Sequence, residues 1–106
     1  MNKATKPKIY PGVDHDMNGG MTTVGKLIRD AWLFGILAES ETCEGWTISR
    51  LDAIYQQVND EWDKYGSMVS LLPDELQSRH KRIYEEAIAK AKTRGWDPEI
   101  IADDVD

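Results

Sequence analysis

With a single cysteine, Cys43, the chain has no second thiol with which to close a disulfide within itself. That removes the small folds stapled by disulfides. Positive charge is also scarce: 13 lysines and arginines stand against 19 aspartates and glutamates, a formal charge of −6. Such a balance argues against a general affinity for DNA, RNA or anionic lipid, whose phosphates it would repel. Long apolar runs are missing too. The longest, AWLFGILA at 31–38, has eight residues, where a membrane-crossing helix needs ~20, so no membrane association is expected. The first 20 residues lack the apolar core of a secretory signal, and the expected location is cytoplasmic. Strand-like alternation is absent as well, SMVSLL at 67–72 being the nearest approach to it, and no internal repeat is visible.

What the chain does contain is a globular composition, 41% hydrophobic and 30% charged over 106 residues, which fits one domain with a modest core. Residues 1–20 hold Pro7, Pro11, Gly12, Gly19 and Gly20 without apolar periodicity, so they read as a flexible basic arm carrying Lys3, Lys6 and Lys8. Ile9, Tyr10 and Val13 are the residues expected to pin it. Residues 21–102 form the helical domain, and 103–106 an acidic tail.

Three helices follow from spacing. Val24, Leu27, Ile28, Ala31, Trp32 and Gly35 recur every three or four residues, predicting a helix over 23–38 capped by Thr22 or Thr23, with Gly35 admitting a close neighbour. Its second half is apolar all round, which makes it the expected central element. A second helix is predicted over 48–65, with Thr47 as cap, Gly66 as stop, and Ile48, Leu51, Ile54, Tyr55, Val58, Trp62 and Tyr65 facing inward. The third runs from Pro73 to Gly95, with Leu76, His80, Ile83, Tyr84, Ala87, Ile88 and Ala91 as its stripe and the i to i+4 pairs Glu75–Arg79 and Glu86–Lys90 on its surface. A short fourth begins at Asp97 and Pro98. The expected architecture is all-α, an up-down-up three-helix bundle with a short extra C-terminal helix.

GMTTVGKL at 20–27 nearly spells a phosphate-binding loop, with Gly20, Gly25 and Lys26 in place. Leu27 stands where such a loop needs a hydroxyl for magnesium, no apolar strand precedes it, and Asp14 and Asp16 would repel phosphate. The glycines are therefore read as freeing the chain to turn into a capped helix, with small-anion or metal binding near Gly19, Gly20, Gly25 and Lys26 as an alternative. The DHD triplet at 14–16 has competent metal ligands but no converging donors beyond them. Cys43 with His15 or His80 is a poor nucleophile pair, because Glu41 and Glu44 disfavour the thiolate. No catalytic constellation emerges, so neither enzymatic activity nor a cofactor is expected.

Two binding surfaces remain. Trp46 and Trp96 flank helix boundaries, and Trp46 adjoins an anionic loop with Glu41 and Glu44, an arrangement suited to a basic protein partner. Arg79, Lys81, Arg82, Lys90, Lys92 and Arg94 gather on the third helix, the alternative being a nucleic-acid contact interrupted by Glu85 and Glu86. Apolar residues such as Phe34 or Ile88 leave homodimerisation open. The favoured expectation is a non-enzymatic protein-interaction or regulatory accessory module.

Overall fold

Each helix start and stop is written in local chemistry. The computed structural model describes residues 9–96, and over that span the protein is all-α. Its helices are α1 (Thr23–Leu33), α2 (Ile48–Asp63) and α3 (Asp74–Thr93), with short 3₁₀ turns at Val13–His15, Met17–Gly20 and Val69–Leu71. Among the described residues, extended pairing is limited to one antiparallel bridge between Ile9 and Thr47. None of the described helices is long and apolar enough to cross a membrane. The helix expected from Asp97, the acidic tail, and Lys3, Lys6 and Lys8 lie outside the described residues.

Thr22 caps α1 by accepting from the Gly25 N–H at 3.0 Å, and Thr47 caps α2 by accepting from Arg50 N–H at 3.3 Å. These hydroxyls occupy amide donors that a helix start otherwise leaves unpaired. The three ends are alike. A glycine in the left-handed region (Gly35, Gly66 or Gly95) turns the chain out of the helix. The next residue then donates back: Ile36 to the Ala31 carbonyl at 2.9 Å, Ser67 to Trp62 at 3.0 Å and Trp96 to Ala91 at 3.1 Å, closing carbonyls that would stay open. In α1 this overturns the expected run to Ala38. Gly35 ends the helix rather than admitting a neighbour, for nothing lies within 4 Å of where its Cβ would stand.

α1 packs against both α2 and α3, the central placement expected from its apolar faces. Ile28 and Ala31 belong to a cluster with Leu51, Ile54 and Val58 of α2, while Leu33 packs with Leu72 and Ile83. Trp32 and Trp62 pack against both clusters.

Residues 9–20 dock on the helical domain through two of the three residues expected to pin them. Tyr10 and Val13 are buried, though Ile9 is exposed. Tyr10 N–H donates to the Trp46 carbonyl at 2.9 Å, Gly45 N–H to the Tyr10 carbonyl at 2.8 Å, and Val13 N–H to Thr42 at 3.1 Å. The segment thus satisfies its backbone against the loop before α2 instead of against solvent. The glycines that follow serve close packing: a Cβ on Gly19 would lie 2.5 Å from the Ala91 Cα, and one on Gly25 2.0 Å from the Gly20 carbonyl oxygen. Into this corner reaches Arg29, only 3% exposed, donating from Nη1 to the Gly20 carbonyl at 2.6 Å. Burial lowers the pKa of this guanidinium from its ordinary value.

Candidate functional site

The apolar stripe of α2 is wider than α1 covers. Leu51, Ile54 and Val58 are buried, but Ile48 and Tyr55, expected inside, are 51% and 49% exposed. With Val24 and Leu27 of α1 they wall a groove of about 330 Å³ between the two helices. Thr23, Lys26, Asp52 and Asn59 add polar groups to its lining, and Asp30 and Trp62 complete it. Apolar walls with a few fixed polar groups are the usual make-up of a binding site, and this volume lies at the small end of the range, ~300–1,000 Å³.

Asp30 is where the three helices meet. Its Oδ1 accepts from the Tyr84 hydroxyl of α3 at 2.7 Å, and its Oδ2 from the Trp62 indole N–H of α2 at 3.1 Å. The Tyr84 oxygen also lies 3.1 Å from the Lys26 carbonyl. His80 lies against Tyr84 with ring centroids 4.6 Å apart, and edge-on to Trp62 at 6.4 Å. Burial raises the Asp30 pKa above the ordinary aspartate value; the Tyr84 and Trp62 hydrogen bonds and the nearby His80 and Lys26 charges oppose this without cancelling it. Tyr84 is raised as well, by burial and then by the Asp30 charge. Among the described residues the ion pairs are Lys64–Glu61, Arg82–Glu39 and Arg82–Glu86, so Asp30 has hydrogen-bond donors but no paired cation. A carboxylate in an apolar groove, solvated only by neutral donors, retains attraction for a positive group.

The residues expected to contact partners lie elsewhere, some engaged within the fold and others exposed. Trp46 is 9% exposed, sits in the core cluster, and has the Arg50 guanidinium 3.6 Å from its ring centroid. It closes the end of the core instead of standing out as an anchor, because residues 9–13 lie across it. Glu41 accepts from the Cys43 N–H at 3.0 Å, which shapes its own loop, and Glu44 is exposed beside Gly12. Trp96 is half-buried at the end of α3, where its N–H closes the helix.

Of the six basic residues on or just after α3, two are engaged. Arg79 donates to the Leu33 carbonyl at the end of α1 at 3.0 Å, and Arg82 grips the Glu39 carboxylate with both Nη atoms at 2.9 and 2.8 Å. Neither Glu75–Arg79 nor Glu86–Lys90 forms among the described ion pairs; Glu86 lies 3.8 Å from Arg82 instead. Lys81, Lys90, Lys92 and Arg94 are exposed, interleaved with the exposed Glu85 and Glu86. Phe34 is half-buried on Trp62, at 5.2 Å between ring centroids, and Ile88 is half-buried.

In the glycine loop the polar groups serve the fold. Asp16 accepts from Tyr10 at 2.6 Å, from Met17 N–H at 2.7 Å and from the Thr22 hydroxyl, and the Gly20 carbonyl is taken by Arg29. Burial and the Glu41 charge push the Cys43 thiol up to about 11, leaving little thiolate at neutral pH. No group of three or more His, Cys, Asp or Glu placed to hold a metal occurs among the described residues. No family model matches the chain, and no curated protein or solved structure matches it.

Sequence reasoning missed the Asp30 junction. The available signal is slight: a carboxylate following Arg29, just before the apolar run that begins at Ala31. Tyr55 and Trp62 were visible as apolar positions, but nothing in their spacing marks Tyr55 as uncovered.

Proposed function

We propose that this protein is a non-enzymatic, cytoplasmic interaction module whose contact face is the α1–α2 groove. The observation that carries the reading is the pair of large apolar side chains, Ile48 and Tyr55, left half-exposed beside a cleft with a carboxylate in its wall. An amphipathic helix whose stripe outruns its intramolecular cover presents the surface a partner side chain needs. The favoured contact moves from Trp46 to this groove because the indole is covered from within. A nucleic-acid reading gains no support from the arrangement, since Arg79 and Arg82 are held by Leu33 and Glu39. Photocrosslinking tests the proposal. With p-benzoylphenylalanine replacing Tyr55, irradiation in native extract is expected to give a discrete protein adduct, while the same group at exposed Ala89 on α3 gives none. Equal labelling from both positions, or no adduct from Tyr55, would remove the groove from consideration.

A further inference from the structure

The chemistry of the partner segment can be narrowed further, on the basis of the interaction reading above. The groove combines three features: aliphatic walls from Leu27, Leu51 and Val58, the half-exposed Tyr55 ring, and a carboxylate at Asp30. Its volume of about 330 Å³ admits one or two side chains but not the backbone of a helix, whose cylinder with side chains is ~10–12 Å across. The occupant is therefore inserted side chains rather than a whole element.

Charge selects among such side chains. Both oxygens of Asp30 are hydrogen-bonded, to Tyr84 and Trp62, and both donors are neutral, so neither supplies a countercharge to the carboxylate when it is ionised. Lys26 lies one helical turn before Asp30 and lines the same groove, but makes no ion pair with it. Asp52 gives the lining a second carboxylate, so two negative groups face one positive one, in a molecule of net charge −6. An acidic insert would meet Asp30 and Asp52 with like charge. A purely apolar insert would cover the Asp30 charge and weaken its solvation without replacing it. A cation beside an aliphatic group incurs neither penalty, and the Tyr55 and Trp62 rings favour the same sign of charge.

We propose that the α1–α2 groove receives a segment of a partner protein bearing a bulky aliphatic side chain next to a lysine or arginine, with the aliphatic group against Leu27, Leu51 and Val58 and the cation at Asp30. Lysine and arginine suit this position because their methylene stems lie along apolar surface while the charged head reaches a polar site.

Three small probes that differ only in their head group test the chemistry: n-hexylammonium, 1-hexanol and hexanoate, titrated at neutral pH while NMR follows the Trp62 indole N–H and the methyls of Leu27, Leu51 and Val58. The expected order of affinity is ammonium, alcohol, carboxylate, separated by about fivefold per step for a partly screened charge. Asp30→Asn should bring ammonium and alcohol together, and Asp52→Asn should leave most of the difference. Should 1-hexanol bind as tightly as n-hexylammonium to the unaltered protein, the groove is an apolar contact and the cation assignment is overturned while the interaction reading stands. A preference that disappears with Asp52→Asn but survives Asp30→Asn overturns the assignment to Asp30. No response to any probe overturns the cation assignment and the groove together. The protein origin of the cation is tested separately: mass spectrometry of the peptide crosslinked through position 55 should find Lys or Arg beside a large aliphatic residue. An acidic or uncharged peptide would overturn the proposal, as would an ammonium preference with no crosslinked protein, which would assign the groove to a free amine.

Discussion

At the scale of single residues, Asp30 is a carboxylate held against a desolvation cost. Burial raises its pKa, so the folded protein holds this proton to higher pH than the unfolded chain does. The stabilisation from that proton is complete below the ordinary aspartate value of 3.8 and is lost as pH rises through the raised one. Asp30→Asn should flatten this part of the pH–stability curve, measured by urea unfolding at a series of pH values above 4. An unchanged slope would mean that the carboxylate is solvated well enough to titrate normally. Asparagine offers a single acceptor for two donors, so part of the junction is also lost, at about 1 kcal/mol for a net hydrogen bond. The sequence exposed little of this, because an aspartate within a helix is ordinary until its neighbours from two other helices are known.

Elements were more legible, since their boundaries rest on local chemistry. Thr22, Thr47, Gly66 and Gly95 mark ends that the structure keeps to within a residue or two, whereas the apolar residues that follow Gly35 mask its role as a stop. Ile36 and Leu37 are apolar because they pack on the core after the turn, not because the helix continues through them. The two kinds of glycine predict different penalties. Gly35→Ala meets no atom within 4 Å and should cost only the left-handed backbone preference, ~1–2 kcal/mol. Gly25→Ala is the reverse case: alanine favours a helix interior over glycine by ~0.5–1 kcal/mol, but its Cβ would lie 2.0 Å from the Gly20 carbonyl oxygen. Backbone cannot swing aside as a side chain does, so overpacking prevails and the net loss should be ~1–3 kcal/mol. Thermal unfolding of both variants provides the comparison, and a Gly25→Ala protein at least as stable as the native one would contradict the close approach.

Across the whole molecule, what spacing left invisible was contact between distant segments. Nothing in residues 9–13 announces that they lie along 42–47, since the hydrogen bonds are backbone groups common to every residue. For the same reason the composition could identify Trp46 as a large apolar ring yet not that the N-terminal segment and Arg50 would cover it. Trp62 and Tyr84 join α2 and α3 to one carboxylate of α1, and their contributions should therefore be coupled. Trp62→Phe and Tyr84→Phe each remove a donor from Asp30, at ~1–3 kcal/mol when an acceptor is left buried. Once one donor is gone, the carboxylate has more reason to take up a proton, and the second loss matters less. A double-mutant cycle should fall short of additivity by ~0.5 kcal/mol or more; strict additivity would mean that the two bonds act independently. The docking of Gly19 onto Ala91 also bears on how the protein is made. These residues lie towards opposite ends of the chain, and a ribosome delivers the first long before the second. The glycine turn stays without its seat until α3 has emerged, whereas residues 9–13 can pair with 42–47 before that, so the N-terminal segment docks in two stages.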